Sequence, residues 1–315
     1  MIKLINGDCL IESDKIESGS VDLILTDLPY GTVKDLGNSE TTQHGMKGKT
    51  EWDSVIDTDK IMQTANRILR KNGKMILTAQ HPFTNELINK AIANVPFNYS
   101  MIWEKDHFAN ALTAKKAPLN YYEDVLIFSK NNEFEGLHPL RPYFKKVFEF
   151  IGGTKKYIIE AIGQRCDHVF RFKSSQFDLC TLETYNDIIK YFQINKMQDF
   201  KDFDYLQKID IEFKKQFAST FNLWEGNKVK SNILKYKKDY GGHHPTQKPV
   251  LLLQDLIKTF SNSGDLVVDL TMGSGSTGVA CVNTNRNFIG IELDETYFKI
   301  AKERIESHQI QVNLI

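Results

Sequence analysis

The chain has 315 residues, with 40 Lys and Arg against 40 Asp and Glu, 41% hydrophobic residues and 25% charged ones. This is the composition of an ordinary soluble protein, long enough to bury a full core in one large domain or two smaller ones. No window reaches the roughly 18 uninterrupted apolar residues of a membrane span. The start, MIKLINGDCL, lacks an apolar leader, and Cys9, Cys166, Cys180 and Cys281 are scattered without the CxxC pair of a zinc site. The expectation is a cytoplasmic protein with reduced thiols and no metal. Net neutrality argues against a polyanionic partner, yet residues 130–242 hold 20 basic and 15 acidic residues, a local excess of +5. A phosphate-facing region and a solvated charged face explain that excess equally well.

In chain order, Lys3 to Asp8 reads as a short strand closing in a turn, and Val21 to Thr26 as an apolar strand covered by helices on both faces. That strand runs into TDLPYG, residues 26–31. Proline cannot extend a central strand, so the chain turns here. Asp27, Pro29 and Gly31 are ordinary turn residues, but an acid and an aromatic ring at the mouth of a sheet are poor core material. Val33 to Asp53, rich in Gly, Thr, Ser and Lys, reads as a mobile surface loop. Thr58 to Arg70 predicts a helix with Ile61, Ala65, Ile68 and Leu69 on one face, ended by Asn72-Gly73. Lys74 to Thr78 predicts a strand, Thr84 to Asn94 a helix, and Tyr99 to Trp103 and Asp124 to Phe128 two more strands.

Residues 131–241 lose this alternation and are too long for a loop, so they predict a small subdomain. Its aromatics, among them Phe170, Tyr185, Tyr191 and Tyr205, are expected mostly in its core. Lysines such as Lys146, Lys155 and Lys235 are candidates for phosphate contact. From Gly242 the alternation resumes: helix Val250 to Phe260, strand Leu266 to Leu270, a glycine loop, helix Thr277 to Asn283, strand Phe288 to Ile291 and a last helix. Alternating strands and helices predict a doubly wound α/β sheet, divided as 1–130, 131–241 and 242–315.

The loop from Asp269 to Gly278 places Gly273, Gly275 and Gly278 in a GxGxxG pattern between a strand and a helix. Nineteen residues past Gly273, Glu292 ends the next strand, where an acid accepts hydrogen bonds from ribose hydroxyls. NAD and S-adenosylmethionine both meet that description. Asp269 would repel a pyrophosphate and suits a ligand with a cationic amine, which favours the methyl donor.

Together these segments resemble the DNA amino-methyltransferases, which modify the exocyclic nitrogen of adenine or cytosine. Asp27-Leu28-Pro29-Tyr30 is similar to their Asp-Pro-Pro-Tyr or Ser-Pro-Pro-Tyr signature, and Asp269 to Gly275 to their donor loop. His244-Pro245-Thr246-Gln247-Lys248-Pro249 resembles the segment before a helix that meets the donor's methionine end, and Asn6-Gly7-Asp8-Cys9 the turn that meets its adenine. Trp103-Glu104-Lys105 and Tyr122 to Phe128 match two further strand segments. The order of blocks resembles the beta class. The resemblance spans roughly 240 residues in the two outer blocks and leaves the insertion uncovered. Two departures stand out: Leu28 replaces the usual first proline, and Thr271 replaces a common phenylalanine.

The resemblance implies a circularly permuted, mostly parallel, seven-stranded Rossmann-like sheet with an inserted target-recognition region. It implies methyl transfer from S-adenosylmethionine to adenine N6 in double-stranded DNA, the base flipped out of the duplex. Asp27, Leu28, Pro29 and Tyr30 would form the catalytic group. Asp8, Cys9, Asp27, His244, Thr246, Lys248, Pro249, Asp269, Thr271, Gly273, Ser274, Gly275, Ser276, Thr277, Glu292 and Leu293 would hold the donor. A homodimer and a cognate restriction endonuclease are the implied partners. The competing readings are N4-cytosine methylation, then an RNA or protein-glutamine methyltransferase, whose usual signature is Asn-Pro-Pro-Tyr. A nicotinamide oxidoreductase leaves DLPY unexplained, and an inactive DNA-binding module leaves its acids unexplained.

Overall fold

The structure is a computed structural model. It describes residues 1–31, 55–109, 115–131, 138–172, 174, 176–217, 219–226, 228–239 and 247–313. Residues 32–54, which include the whole of the expected surface loop, lie outside that set. The strands are β1 (Ile2–Asn6), β2 (Val21–Thr26), β3 (Leu69–Ala79), β4 (Phe97–Ala109), β5 (Asn120–Ser129), β6 (Ile233–Lys235), β7 (Leu266–Asp269) and β8 (Asn287–Glu292). The helices are α1 (Cys9–Glu12), α2 (Thr58–Ile68), α3 (Phe83–Asn89), α4 (Arg141–Ile151), α5 (Lys155–Ile162), α6 (Leu182–Phe192), α7 (Phe203–Phe217), α8 (Val250–Phe260), α9 (Ser276–Asn283) and α10 (Glu295–Asn313). None of the described helices is long and apolar enough to cross a membrane.

The chain divides into two compact units, residues 1–132 with 219–315, and residues 133–218. The first carries one eight-stranded sheet in the order β1-β8-β7-β2-β3-β5-β4-β6. Only β5 runs against its neighbours. The two last strands in sequence therefore sit between the two first, the permuted order. Strand β2 shows why the sheet is covered on both faces. Its Val21 and Ile24 pack with Ile61, Met62, Ala65 and Ile68 of α2. Leu23 and Leu25, on either side of Ile24, pack with Leu253, Leu256, Ile257 and Phe260 of α8, and the irregularity between Val21 and Leu23 puts Val21 on the α2 face.

Three expectations are corrected. Helix α2 ends at Ile68, so Asn72-Gly73 lies inside β3 and does not stop the helix. Leu69 already pairs with Val21, and the register shifts before Leu23 pairs with Lys74. Gly73 fills that irregularity, because a Cβ there would meet the carbonyl oxygens of Arg70, Asp22 and Val21 at 2.9–3.1 Å. Second, the sheet has eight described strands where seven were expected, the extra one being the three-residue β6 beside β4. Third, the insertion ends near residue 218, well before 241. Residues 219–239 return to the sheet unit through the β6 pairing and through Asp255 of α8, which takes hydrogen bonds from the Trp224 indole and the Lys230 ammonium.

The second unit is helical, with α4 to α7 around Phe144, Val147, Ile158, Tyr185, Ile188 and Leu206. Of its sequence-flagged aromatics, Phe170 and Tyr185 are buried while Tyr191 and Tyr205 are exposed. Lys146 and Lys155 pair with Asp199 and Asp167, so their charges are locally offset.

The three loop glycines do different work. At Gly273 an added Cβ would meet nothing within 4 Å, whereas at Gly275 it would sit 3.0 Å from Ala301 and Ile305 of α10. At Gly278 it would lie 2.3 and 2.9 Å from Ile305 and 2.9 Å from the Phe288 ring. The latter two admit α10, and only the first opens outward. Gly278→Ala is expected to lower unfolding stability by about 1–3 kcal/mol despite alanine's better helix propensity, because overcrowding a packed interior outweighs it. A denaturant melt checks this; an unchanged or raised midpoint refutes it.

Candidate active site

The carboxyl ends of β1, β8, β7 and β2 lie side by side, at Asn6, Glu292, Asp269 and Thr26. Parallel α/β sheets bind ligands outside these ends, where the strand order reverses. The turn after β2 brings Asp27 to this edge. Its Oδ1 accepts the Tyr30 hydroxyl at 2.8 Å and the Thr78 hydroxyl, and its Oδ2 accepts the Lys248 ammonium at 2.5 Å. The Asp27 side chain keeps 28% of its surface exposed. Gly31, at φ +70°, lets the chain leave beneath Val55.

Leu28 explains its departure from proline by burial: it is 2% exposed and belongs to the core under β2. The Tyr30 ring lies tilted against Phe83, centroids 5.6 Å apart, with the Lys248 ammonium 5.8 Å from its centroid. Burial, with Asp27 and Glu123 adding to it, holds the Tyr30 phenol well above its usual pKa, so it donates as a neutral hydroxyl.

Thr271 makes its departure useful as well. Its hydroxyl donates to the main-chain carbonyl of Asp27 at 3.0 Å and lies 2.8 Å from the Thr26 hydroxyl, tying the glycine loop to the β2 turn. Asp269 is buried beneath that loop. Its oxygens accept the Thr26 hydroxyl (2.8 Å), the Thr271 N–H (3.1 Å) and the Thr277 hydroxyl (2.6 Å). Burial pushes its pKa up from 3.8 to about 6, with Asp27 adding to the rise against those three hydrogen bonds.

Glu292 accepts the Gly273 N–H and the Asp294 N–H, each at 2.9 Å. A carboxylate has about four lone-pair sites, so acceptor capacity remains for a ligand's hydroxyls. Leu293 beside it is 70% exposed, an apolar side chain open at the mouth. Asp8 caps α1 through the Leu10 N–H at 2.8 Å. Cys9 is buried, and desolvation with Asp8 pushes its thiol to about 12, leaving a small neutral hydrophobe. Ser274 donates to Gln247 at 3.3 Å, Ser276 accepts from Arg304 at 3.0 Å, and buried Pro249 caps α8. His244 and Thr246 lie outside the described residues. Among the described residues no group of three His, Cys, Asp or Glu is placed to hold a metal ion.

The structure places the Lys248 ammonium against Asp27. It is buried between Asp27 and Glu123, whose Oε2 is 3.2 Å from its Nζ. Burial disfavours the ammonium, but Asp27 and Glu123 outweigh it and hold its pKa above the usual value. Glu123 in turn pairs with Lys105 at 2.6 Å. Burial alone would raise its carboxyl, yet Lys248 and Lys105 keep it below the ordinary range. Thr78 on Asp27, and Glu123 and Lys105 beyond Lys248, are members of this cluster that sequence reasoning missed. An acid in the apolar strand segment YEDVLIF was the available signal for Glu123.

A family model described as DNA methylase, of the N6/N4 type, matches residues 21–303. The chain belongs to that family. Among the methylase's relatives is the DNA adenine methyltransferase YhdJ of Escherichia coli (strain K12), 26% identical over 310 residues, covering 96% of this chain and 82% of that one. Another is the type II methyltransferase M.HpaI of Haemophilus parainfluenzae, 24% identical, covering 97% and 74%. The fold of the methylase is shared with the M1.HpyAVI–SAM complex (TM-score 0.53, 18% identity, 97% and 99% covered). It is also shared with PvuII DNA methyltransferase (cytosine-N4-specific) (TM-score 0.55, 12% identity, 99% and 92% covered).

Proposed function

We propose that this DNA methylase transfers a methyl group from S-adenosylmethionine to the exocyclic N6 of an adenine rotated out of duplex DNA. The observation that carries the reading is Asp27: a part-exposed carboxylate, oriented by Thr78 and Tyr30, joined through Thr271 to the glycine loop. The edge fits the donor. Glu292 keeps acceptor capacity for ribose hydroxyls, Leu293 offers apolar surface, and Gly273 leaves open space above the loop. The buried acid Asp269 supplies negative potential for a cationic ligand, acting through space because three hydrogen bonds already engage it.

An exocyclic amine is a poor nucleophile because its lone pair is delocalised into the ring. Acceptors held out of the base plane draw both N–H groups and localise that pair on nitrogen. Asp27 is one acceptor and the main-chain carbonyl of Leu28 the other; Pro29 fixes the turn and Tyr30 faces the base. Bound at the edge, S-adenosylmethionine supplies an electrophilic methyl group, whose bond to sulfur breaks with its electron pair as nitrogen's lone pair forms the new N–C bond. Nitrogen then carries a positive charge and a surplus proton beside Asp27. Holding the reactants in line and placing a fixed carboxylate where charge develops are the two large contributions. YhdJ, whose name specifies adenine, supports the choice of base, as does Asp in place of Ser in the signature.

The test is transfer of labelled methyl to unmethylated bacterial DNA, followed by mass spectrometry of the nucleosides. N6-methyladenine is the expected product. N4-methylcytosine would keep the mechanism and overturn the base, and no methylated base despite donor binding would overturn the substrate.

A further inference from the structure

The chain's own charges around Asp27 alternate. Lys105, Glu123, Lys248 and Asp27 form a line of two cations and two anions, and Lys105, Glu123 and Lys248 are buried. Lys248 is the shared member. Its Nζ is 2.5 Å from Asp27 Oδ2 and 3.2 Å from Glu123 Oε2. Glu123 Oε1 has Lys105 at 2.6 Å and the Gln80 amide at 3.4 Å, while Oε2 is buried and makes no hydrogen bond of proper geometry. Its nearest cation is the Lys248 ammonium at 3.2 Å, a long contact for a buried charged oxygen, and such a group calls for an explanation.

The lone pairs of Asp27 supply one. Oδ1 already takes two hydroxyl donors, from Tyr30 and Thr78. An amine N–H arriving at Asp27 must therefore go to Oδ2, the oxygen that Lys248 grips. A cation on the same oxygen weakens it as an acceptor. Glu123 Oε2 is a ready alternative: at 3.2 Å it already lies at the long end of ordinary N–H···O distance, and a small shift of Nζ shortens that contact as the one to Asp27 lengthens.

We propose that Lys248 is a positioning residue with two seats, gripping Asp27 before the target base arrives and moving onto Glu123 when the amine donates to Asp27. The proposal rests on Asp27 being the amine acceptor. Neutrality of the four-charge line is kept throughout, and the Asp27 charge is released as nitrogen gains its own positive charge. The interaction is thus strongest in the transition state, the only place where added binding accelerates the step. Lys105 keeps Glu123 ionised and aimed, so the second seat is always present.

The experiment compares wild type with Lys248→Met, Lys248→Arg, Glu123→Gln and the Lys248→Met/Glu123→Gln pair. The readings are single-turnover methylation of unmethylated DNA at saturating S-adenosylmethionine, donor affinity by calorimetry, and melting temperature. Lys248→Met frees Oδ2 but leaves it unoriented and the line one cation short, a net loss expected to slow the step by about 10–100-fold with donor affinity within about threefold, and Lys248→Arg should recover part of it. Glu123→Gln, which never touches Asp27 and keeps its shape, is expected to slow the step about tenfold. The double variant should be no slower than Lys248→Met, because the seats act through one ammonium. Unchanged rate in Glu123→Gln, or additive losses in the pair, overturns the two-seat arrangement. Weakened donor binding with unchanged rate in Lys248→Met overturns it too and makes Lys248 a donor ligand. A wild-type protein that methylates no DNA overturns the functional reading and this inference together, so the two failures are told apart.

Discussion

Asp27→Ala is expected to bind S-adenosylmethionine within about threefold of wild type and to transfer methyl about 10²–10³-fold more slowly, the loss typical of removing a preorganised group from a reacting centre. The fold is expected to survive, because the Lys248 ammonium retains Glu123 at 3.2 Å and is not left as an unpaired buried charge. Donor binding survives because Glu292, Gly273 and the Asp269 loop do not lean on the Asp27 side chain; Thr271 reaches its main-chain carbonyl, which alanine keeps. Thr78→Ala and Tyr30→Phe each remove one hydroxyl from Oδ1 and leave the charge in place. Each should cost about tenfold, the worth of one hydrogen bond. A single-turnover assay beside a donor titration separates these cases. An Asp27→Ala protein within tenfold of wild type would remove Asp27 from the chemistry, whatever the assay on the native chain shows.

The parts of this molecule that sequence made legible are those encoded locally. β2 reads as a strand because Val21 to Thr26 is a continuous apolar run, and its end is marked by a proline that cannot pair. The glycine loop is legible because strand, loop, helix and terminal acid follow within about two dozen residues. The Lys105–Glu123–Lys248–Asp27 line is not, since its members are separated by up to 221 positions and no periodicity links them. β6 escaped because three residues among polar neighbours give no alternation to read. Asn72-Gly73 misled for a physical reason: the same dipeptide that stops helices also permits a strand irregularity with carbonyls at 2.9–3.1 Å. The roles of Gly275 and Gly278 depend on α10, which approaches from more than twenty residues away.

Asp269→Asn is expected to stabilise the protein above pH 6 while weakening its hold on the methyl donor. The wild-type carboxyl is buried, and its pKa rises from 3.8 to about 6 mainly for that reason. A folded-state value above the unfolded one means that the folded chain binds the proton more tightly. Stability therefore falls as pH rises through the window from 3.8 to about 6, and the whole penalty is present above it. That interval corresponds to about 3 kcal/mol. Asparagine keeps an acceptor for the Thr26 hydroxyl and the Thr271 N–H, and the Thr277 hydroxyl can turn to accept from its amide. The variant should then be more stable than wild type by about 2–3 kcal/mol at pH 8, with the gap closing near pH 4. Donor affinity should fall about tenfold, because a cationic ligand loses the negative potential beneath the loop. Paired denaturant melts across that pH range and a donor titration at pH 8 measure both effects. A gap that ignores pH would mean the folded acid titrates like the unfolded one, a gap that keeps widening above pH 6 would mean it stays protonated in the fold, and unchanged donor affinity would make it a structural knot of three threonines. A gap that opens between pH 4 and 6 and then levels off, together with weaker donor binding, would mean that the chain holds an ionised acid under its glycine loop at the expense of the fold, because the ligand requires the charge.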